Sequence, residues 1–255
     1  KLGAVGLGGL EDQGSRLAVE LDTIGEPLLQ RAFADDATWR DRIILVTSAG
    51  PGEGKTFTAV GLALSLARRN QPALLIDAGA GHTNAAAWLG LPPGRNLSHA
   101  LMEPTLRPDQ IVAEADWEGL GVATLEPTET PMTEFVASRR MVQLVRRLAE
   151  AEPRRLILID GTPLLASNDA AVLAVIAGQT LLVVQAGHTM ASAIGDVMDR
   201  LGLRQNLSLV LNRAAPWPST HPDGSQNAED GGERDRAAGR VTGATKGPRQ
   251  RLFGL

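Results

Sequence analysis

Cysteine is absent from this 255-residue chain, which excludes disulfides, thiol catalysis and cysteine-ligated metals. Aromatic residues amount to only 3%, with no tyrosine at all. The core must therefore be built from Leu, Ile, Val and Ala, which suits parallel strands covered by helices on both faces. Positive charge is not in excess either: 25 Lys and Arg stand against 29 Asp and Glu, a net of −4. That balance counts against holding nucleic acid by its phosphates, and no nucleic-acid partner is expected. A long hydrophobic run is also missing. The greasiest stretch, Ala170–Ala186, is broken by Gln179, Thr180 and Gln185, whereas a membrane span needs about 20 largely apolar residues. It reads as a buried helix–turn–strand. The Gly/Leu-rich opening has too short an apolar core for a signal peptide, so a soluble, cytoplasmic protein is expected. The four histidines (His82, His99, His188 and His221) lack ligand-like spacing, and no zinc site is expected.

What is present is 43% apolar residues, enough for one α/β domain of ordinary size. Short runs rich in Leu, Ile and Val recur at Arg42–Ser48, Pro72–Asp77, Leu120–Thr124, Arg155–Asp160, Thr180–Val184 and Leu207–Asn212. None alternates cleanly between polar and apolar, the pattern of strands buried on both faces. Helical patterns lie between them at Lys55–Arg69, Thr133–Glu150, Asp169–Ala177 and Ala191–Leu201. Alternating strands and helices imply right-handed crossovers and a doubly wound, mostly parallel α/β sheet with helices on both faces. Residues 1–15 form a Gly-rich flexible segment, and an amphipathic stretch from Arg16 to about Phe33 opens the domain, 16–213. From Ala214 onward apolar periodicity disappears, so 214–255 is expected to be a disordered tail.

The first strand runs into Ala49-Gly50-Pro51-Gly52-Glu53-Gly54-Lys55-Thr56 and then a helix. Gly52 and Gly54 permit backbone angles that let successive N–H groups curl around phosphate oxygens, and the helix dipole points at the same anion. Lys55 is expected to reach the β- and γ-phosphates, and the Thr56 hydroxyl to ligate Mg2+. The strict phosphate-loop pattern begins with Gly, where this chain has Ala49. The nucleotide-contacting set is expected to run from Gly50 through Thr56 to position 57, which is Phe57. Asp77 and Asp160 each end a greasy strand, so both carboxylates emerge at the carboxyl edge where open sheets bind ligands. Asp160 is assigned to the magnesium shell. Asp77 is assigned as a second acid, orienting metal-bound water or taking a proton from the nucleophile. The bland alternative is that each merely caps a helix or fills a turn. Gly79-Ala80-Gly81 imitates a dinucleotide turn, but Asn84 stands where the third glycine belongs, and it is read as a plain turn. Asn212 ends the last strand at the same edge, and its amide suits an adenine edge.

The runs TSAGPGEGKTFTA, LLIDA, LILIDGTPLLASNDA and LVLNR, with PMTEFVAS before the long helix, resemble the bacterial tyrosine kinase (BY-kinase) family. The similarity covers residues 16–213 and is strongest to the autokinases encoded in exopolysaccharide loci, within the MinD/ParA group of P-loop ATPases. Partition ATPases of that group carry an extra lysine early in the loop, where this chain has Gly50. The resemblance implies ATP and Mg2+ as cofactors, with Lys55 and Thr56 serving phosphate and metal, Asp77 and Asp160 supplying the acids, and Asn212 with Arg213 at the adenine. It further implies a phosphotransferase regulating polymer assembly, recruited to the inner membrane by a polysaccharide co-polymerase. Three departures stand against the full activity. Gly79 replaces a second acid. No tyrosine exists to be phosphorylated. In the helix before the first strand, Glu20, Asp22 and Glu26 lack the arginines that knit a ring of subunits, so a monomer or weak dimer is expected. A non-catalytic nucleotide-dependent regulator and a partition-type ATPase are the alternative readings.

Overall fold

The computed structural model describes residues 6–79, 85–125 and 136–214, apart from positions 13, 93, 95, 104, 108, 109 and 203–205, together with the backbone of 252–254. Its strands are β1 (Ile43–Ser48), β2 (Ala73–Asp77), β3 (Ala113–Glu114), β4 (Leu120–Thr124), β5 (Leu156–Asp160), β6 (Gln179–Gln185), β7 (Asn206–Asn212) and β8 (Leu252–Gly254). They form one sheet in the order β3-β4-β2-β5-β1-β6-β7-β8. Every pairing is parallel except β3 with β4. The doubly wound parallel sheet expected from the sequence is therefore present.

β1, β2 and β5 are buried at every position. Because successive side chains point to opposite faces, they divide between two cores. Ile44, Val46, Leu75 and Leu158 join α1 (Arg16–Ala32) and α2 (Lys55–Arg68) on one side. Ile43, Leu45, Leu74, Ile76, Ile157 and Ile159 join α4 (Leu97–Met102), α5 (Arg139–Ala151) and α6 (Asn168–Ile176) on the other. α3 (Ala85–Trp88) follows β2, and α7 (Ala191–Leu201) packs its Val197 with Leu182 and Leu209. No described helix is long and apolar enough to cross a membrane.

Three sequence expectations need correction. α5 starts at Arg139 rather than Thr133, because the Ser138 side chain accepts the Met141 N–H at 3.1 Å and caps the helix there. Positions 131–135 of the PMTEFVAS run lie outside the described residues, as do 80–84 of the glycine lookalike and 215–250 of the tail. The stretch read as a largely disordered tail contains β8, which pairs Leu252, Phe253 and Gly254 with Leu209, Val210 and Leu211. That apolar triplet follows a polar stretch, and the outer edge of β7 offers it unpaired backbone groups.

The third correction concerns α1. Its acids do not form a repelling patch, because each has an arginine within the same chain. Arg68 grips both oxygens of Asp22 at 2.7 Å, and the Ser65 hydroxyl donates to the same carboxylate. Arg69 pairs with Glu26 at 2.9 Å, and Arg16 with Glu20. Arg16 reaches Glu20 from one turn away on α1 itself, whereas the partners of Asp22 and Glu26 stand at the end of α2, more than 40 residues away, a pairing that sequence spacing cannot reveal.

Candidate functional site: a phosphate loop and a buried carboxylate

The central position of β1 fixes the site. Its carboxyl end lies between those of β5 and β6, with β2 beyond β5 and β7 beyond β6. The loops after these strands thus converge on one edge, carrying Ala49–Thr56, Asp160, Asp77 and Asn212. All the sequence-predicted site residues gather there.

The phosphate loop is pinned before any ligand arrives. The Ser48 hydroxyl donates to the Gly50 carbonyl at 2.7 Å. Gly52 and Gly54 take positive φ of 79° and 100°, and α2 begins immediately after, at Lys55. Glu53 points inward and is 3% exposed. Its carboxylate accepts the Gly50 N–H at 3.0 Å and the Thr189 hydroxyl, while Thr189 Oγ1 accepts the Gln185 N–H at 2.9 Å. The Glu53 side chain is thus a brace between the loop and the segment after β6, which leaves its backbone N–H as the group it can offer within the phosphate loop.

Asn212 is held as firmly. Its Nδ2 donates to the Glu53 carbonyl at 2.8 Å, and its Oδ1 accepts the Arg213 N–H at 2.8 Å. A Cβ on Gly54 would lie 2.0 Å from that Nδ2, so glycine is required there by space as well as by φ. The amide expected at an adenine edge is here engaged with the loop backbone, though it still borders the cleft. Arg213 Nη1 donates to Gln185 Oε1 at 2.9 Å.

Asp160 is the unusual group. It ends β5 opposite Val46 of β1 and Asp77 of β2. It is fully buried, and neither carboxylate oxygen completes a hydrogen bond. Loss of water pushes its pKa up to about 7, and the neighbouring Asp77 charge adds to the rise; the nearby Thr56 hydroxyl and Lys55 ammonium hold it back. A buried unpartnered carboxylate is costly unless something charged arrives to meet it. Asp41 provides the contrast. It is also buried, yet it accepts from the Thr38 N–H at 2.7 Å, the Thr38 hydroxyl at 2.9 Å and Arg31 at 3.0 Å. Desolvation pushes its pKa up, but those donors outweigh it and leave the carboxyl below its usual range.

Asp77 behaves partly as the bland alternative foresaw. Its Oδ1 accepts the Gly79 N–H at 3.2 Å and its Oδ2 the Ala85 N–H at 2.7 Å, closing the loop between β2 and α3.

Among the described residues no cluster of three His, Cys, Asp or Glu could hold a metal by itself. Mg2+ bound with a nucleotide does not need one, since it keeps waters and takes phosphate oxygens beside one or two protein oxygens. The orphaned Asp160 carboxylate beside the Thr56 hydroxyl fits that role.

A cleft of about 560 Å³ opens over the loop, bordered by Gly54, Lys55, Thr56, Phe57, Trp88 and Asn212. A smaller hollow of about 340 Å³ lies on the loop's other side, bordered by Pro51, Leu165, His188, Thr189 and Met190. Trp88, Thr189 and the bracing use of Glu53 escaped the sequence reading. Only Trp88 carried a signal, as one of four tryptophans in an aromatic-poor chain.

Comparison with known proteins agrees with this geometry. The family profile for the CobQ/CobB/MinD/ParA nucleotide-binding domain matches residues 44–234. The tyrosine-protein kinase YwqD of Bacillus subtilis (strain 168) is 30% identical over 146 residues, 57% of this chain. The match spans 60% of that relative's length. The kinase domain of the Escherichia coli tyrosine kinase ETK superposes with a TM-score of 0.68 at 25% identity, covering 84% of this chain and 83% of that one. The septum site-determining protein MinD from Pyrococcus horikoshii OT3, complexed with Mg-ADP, shares the fold, with a TM-score of 0.54 at 20% identity over 68% of this chain and 70% of that one. With its phosphate loop, buried acid and parallel sheet in the arrangement described, the chain belongs to the CobQ/CobB/MinD/ParA family of nucleotide-binding domains.

Proposed function

We propose that this protein binds ATP with Mg2+ and acts as a regulator of the tyrosine-autokinase type in exopolysaccharide assembly, with weakened phosphotransfer. The observation that carries the nucleotide reading is the unpartnered Asp160 carboxylate, buried beside Thr56 and Lys55 at the mouth of a braced phosphate loop. The loop's N–H groups and the α2 N-terminus would cradle the phosphates, and Lys55 would donate to the outer ones. Thr56 and Asp160 would hold the ion, which when bound supplies charge neutralisation across those phosphates. Asp77, whose carboxylate accepts the Gly79 and Ala85 N–H groups, would act as the second acid by orienting a water.

The relatives' names support the kinase branch, as does the residue wording Pro51-Gly52-Glu53-Gly54-Lys55. A membrane-embedded polysaccharide co-polymerase would then be the partner, bringing an otherwise cytoplasmic protein to the inner membrane. A second reading, a nucleotide-dependent module that signals by conformation alone, is favoured by the absence of tyrosine and by Asp77's engagement in its own loop.

Calorimetry with Mg-ADP tests the shared core of both readings. Wild type should bind, and Lys55→Ala should lose tenfold or more by forfeiting a charge-assisted contact. Equal affinities in the two proteins would sink the assignment. Labelled ATP separates the readings. Slow release of phosphate supports retained chemistry, whereas binding without turnover supports the conformational module.

A further inference from the structure

The cleft over the phosphate loop has a lining of two chemical kinds. Gly52, Gly54, Lys55 and Thr56 are its phosphate-loop part, while Phe57 and Trp88 contribute an aromatic wall, and Asn212 and Arg213 complete the lining. The chain has only four phenylalanines and four tryptophans, and this one cleft takes one of each. Both side chains are half-buried and pack from the cleft onto the core shared by α1 and α2. Trp88 is brought there by α3, whose first N–H, on Ala85, is held by the Asp77 carboxylate at 2.7 Å.

We infer that Trp88, with Phe57 beside it, is the nucleobase platform of this site. This rests on the nucleotide reading given above and adds to it a residue that selects nucleotides over bare polyphosphate. An indole left half open to water gains by covering its flat face, and a base delivers a flat π-surface of matching size. Stacking tolerates every base, so the wall favours nucleosides as a class. The Asn212 amide spends one N–H on Glu53 and one oxygen lone pair on the Arg213 N–H, and it is polar in any case, so apolar contact with a base falls to the aromatic wall. Because α3 hangs from Asp77, a base seated on Trp88 also steadies the loop that carries that acid. Trp88 touches ligand but takes no part in phosphate chemistry.

The experiment uses the full chain with Mg2+, titrated in parallel with ADP and with inorganic pyrophosphate. Trp88→Ala should weaken ADP about tenfold, the effect of ~1.4 kcal/mol lost with one stacked base, and leave pyrophosphate unchanged. Trp88→Phe should stay within about threefold of wild type for ADP. ADP should quench the intrinsic fluorescence of the wild type, and the quench should disappear in Trp88→Phe, which keeps the decision open should the alanine variant fold poorly. The inference is overturned by ADP affinity unchanged in Trp88→Ala, by an equal loss for pyrophosphate, or by a quench that survives in Trp88→Phe. Failure of the wild type to bind either ligand would instead overturn the nucleotide reading itself.

Discussion

At pH 8 the Asp160→Asn protein should melt about 4–8 °C above the wild type, and the slow metal-dependent ATP hydrolysis proposed above should be lost in it. The folded protein holds the Asp160 proton up to about pH 7, whereas the unfolded chain releases it near the ordinary 3.8. The stabilising contribution of that proton is therefore complete below pH 4 and is lost as pH rises through 7. Fully ionised, the buried carboxylate costs the apo fold about 4 kcal/mol at most, from three pKa units at ~1.4 kcal/mol each. An amide of the same shape avoids the charge but still lacks partners, so the net gain at pH 8 falls to about 2 kcal/mol. In a domain of this size that corresponds to the stated shift, at about 2–4 °C per kcal/mol. At pH 5 the folded carboxyl keeps its proton while the unfolded chain has largely released it, so only about 1.7 kcal/mol of that cost has appeared, and against the amide's own penalty of about 2 kcal/mol the two melting temperatures should nearly coincide. Thermal melts of both proteins at pH 5 and 8, without nucleotide or metal, read the difference directly and cancel every other titrating group. A variant no more stable than wild type at pH 8, or a gap of the same size at both pH values, would refute the idea that this carboxylate waits uncompensated. Wild-type protection by Mg-ADP should in turn grow between pH 6 and 8, as the proton leaves and the metal takes its place.

Asp41→Ala should destabilise by about 2–3 kcal/mol in chemical denaturation without changing Mg-ADP affinity per folded molecule, since it strands Arg31 and the Thr38 donors; a stable variant would show those contacts to be dispensable. Gly54→Ala should abolish nucleotide binding measured by calorimetry, because its Cβ displaces Asn212 from the loop; normal binding would contradict the 2.0 Å approach. Incubation with labelled ATP cannot yield phosphotyrosine in a chain without tyrosine, and robust labelling of serine or threonine would show phosphotransfer to be stronger than proposed. With the α1 acids neutralised by Arg16, Arg68 and Arg69, light scattering of the ATP-bound protein should give a monomer or weak dimer; a stable octamer-sized particle without a partner would overturn this.

The parts legible in the sequence were those encoded locally. The phosphate loop is eight consecutive residues with a strand before and a helix after, and six strands announced themselves as unbroken Leu/Ile/Val runs. Asp77 and Asp160 were legible because each closes such a run. Their different fates were not, since what separates them is partners: two backbone N–H groups for Asp77, none for Asp160. The bracing of the loop was equally hidden. Glu53 meets Thr189 across 136 residues and Asn212 across 159, and no local pattern reports such contacts. β3 has two residues and β8 three, too short for periodicity to register.

The lack of room above Gly54 makes two distant stretches of chain inherit one another. The loop's shape is stored partly in the residue that ends β7, so neither segment is a self-sufficient module. Grafting Ala49–Thr56 into a relative that lacks an amide at the position of Asn212 would carry over the wording of the motif without its scaffold. A chimera joined anywhere between α2 and β7 would have to match the two parents at this single contact before their surfaces mattered. Directed evolution of the site faces the same bond. Beneficial changes at Glu53 or Gly54 should surface together with changes at Asn212, as coupled pairs rather than as single steps.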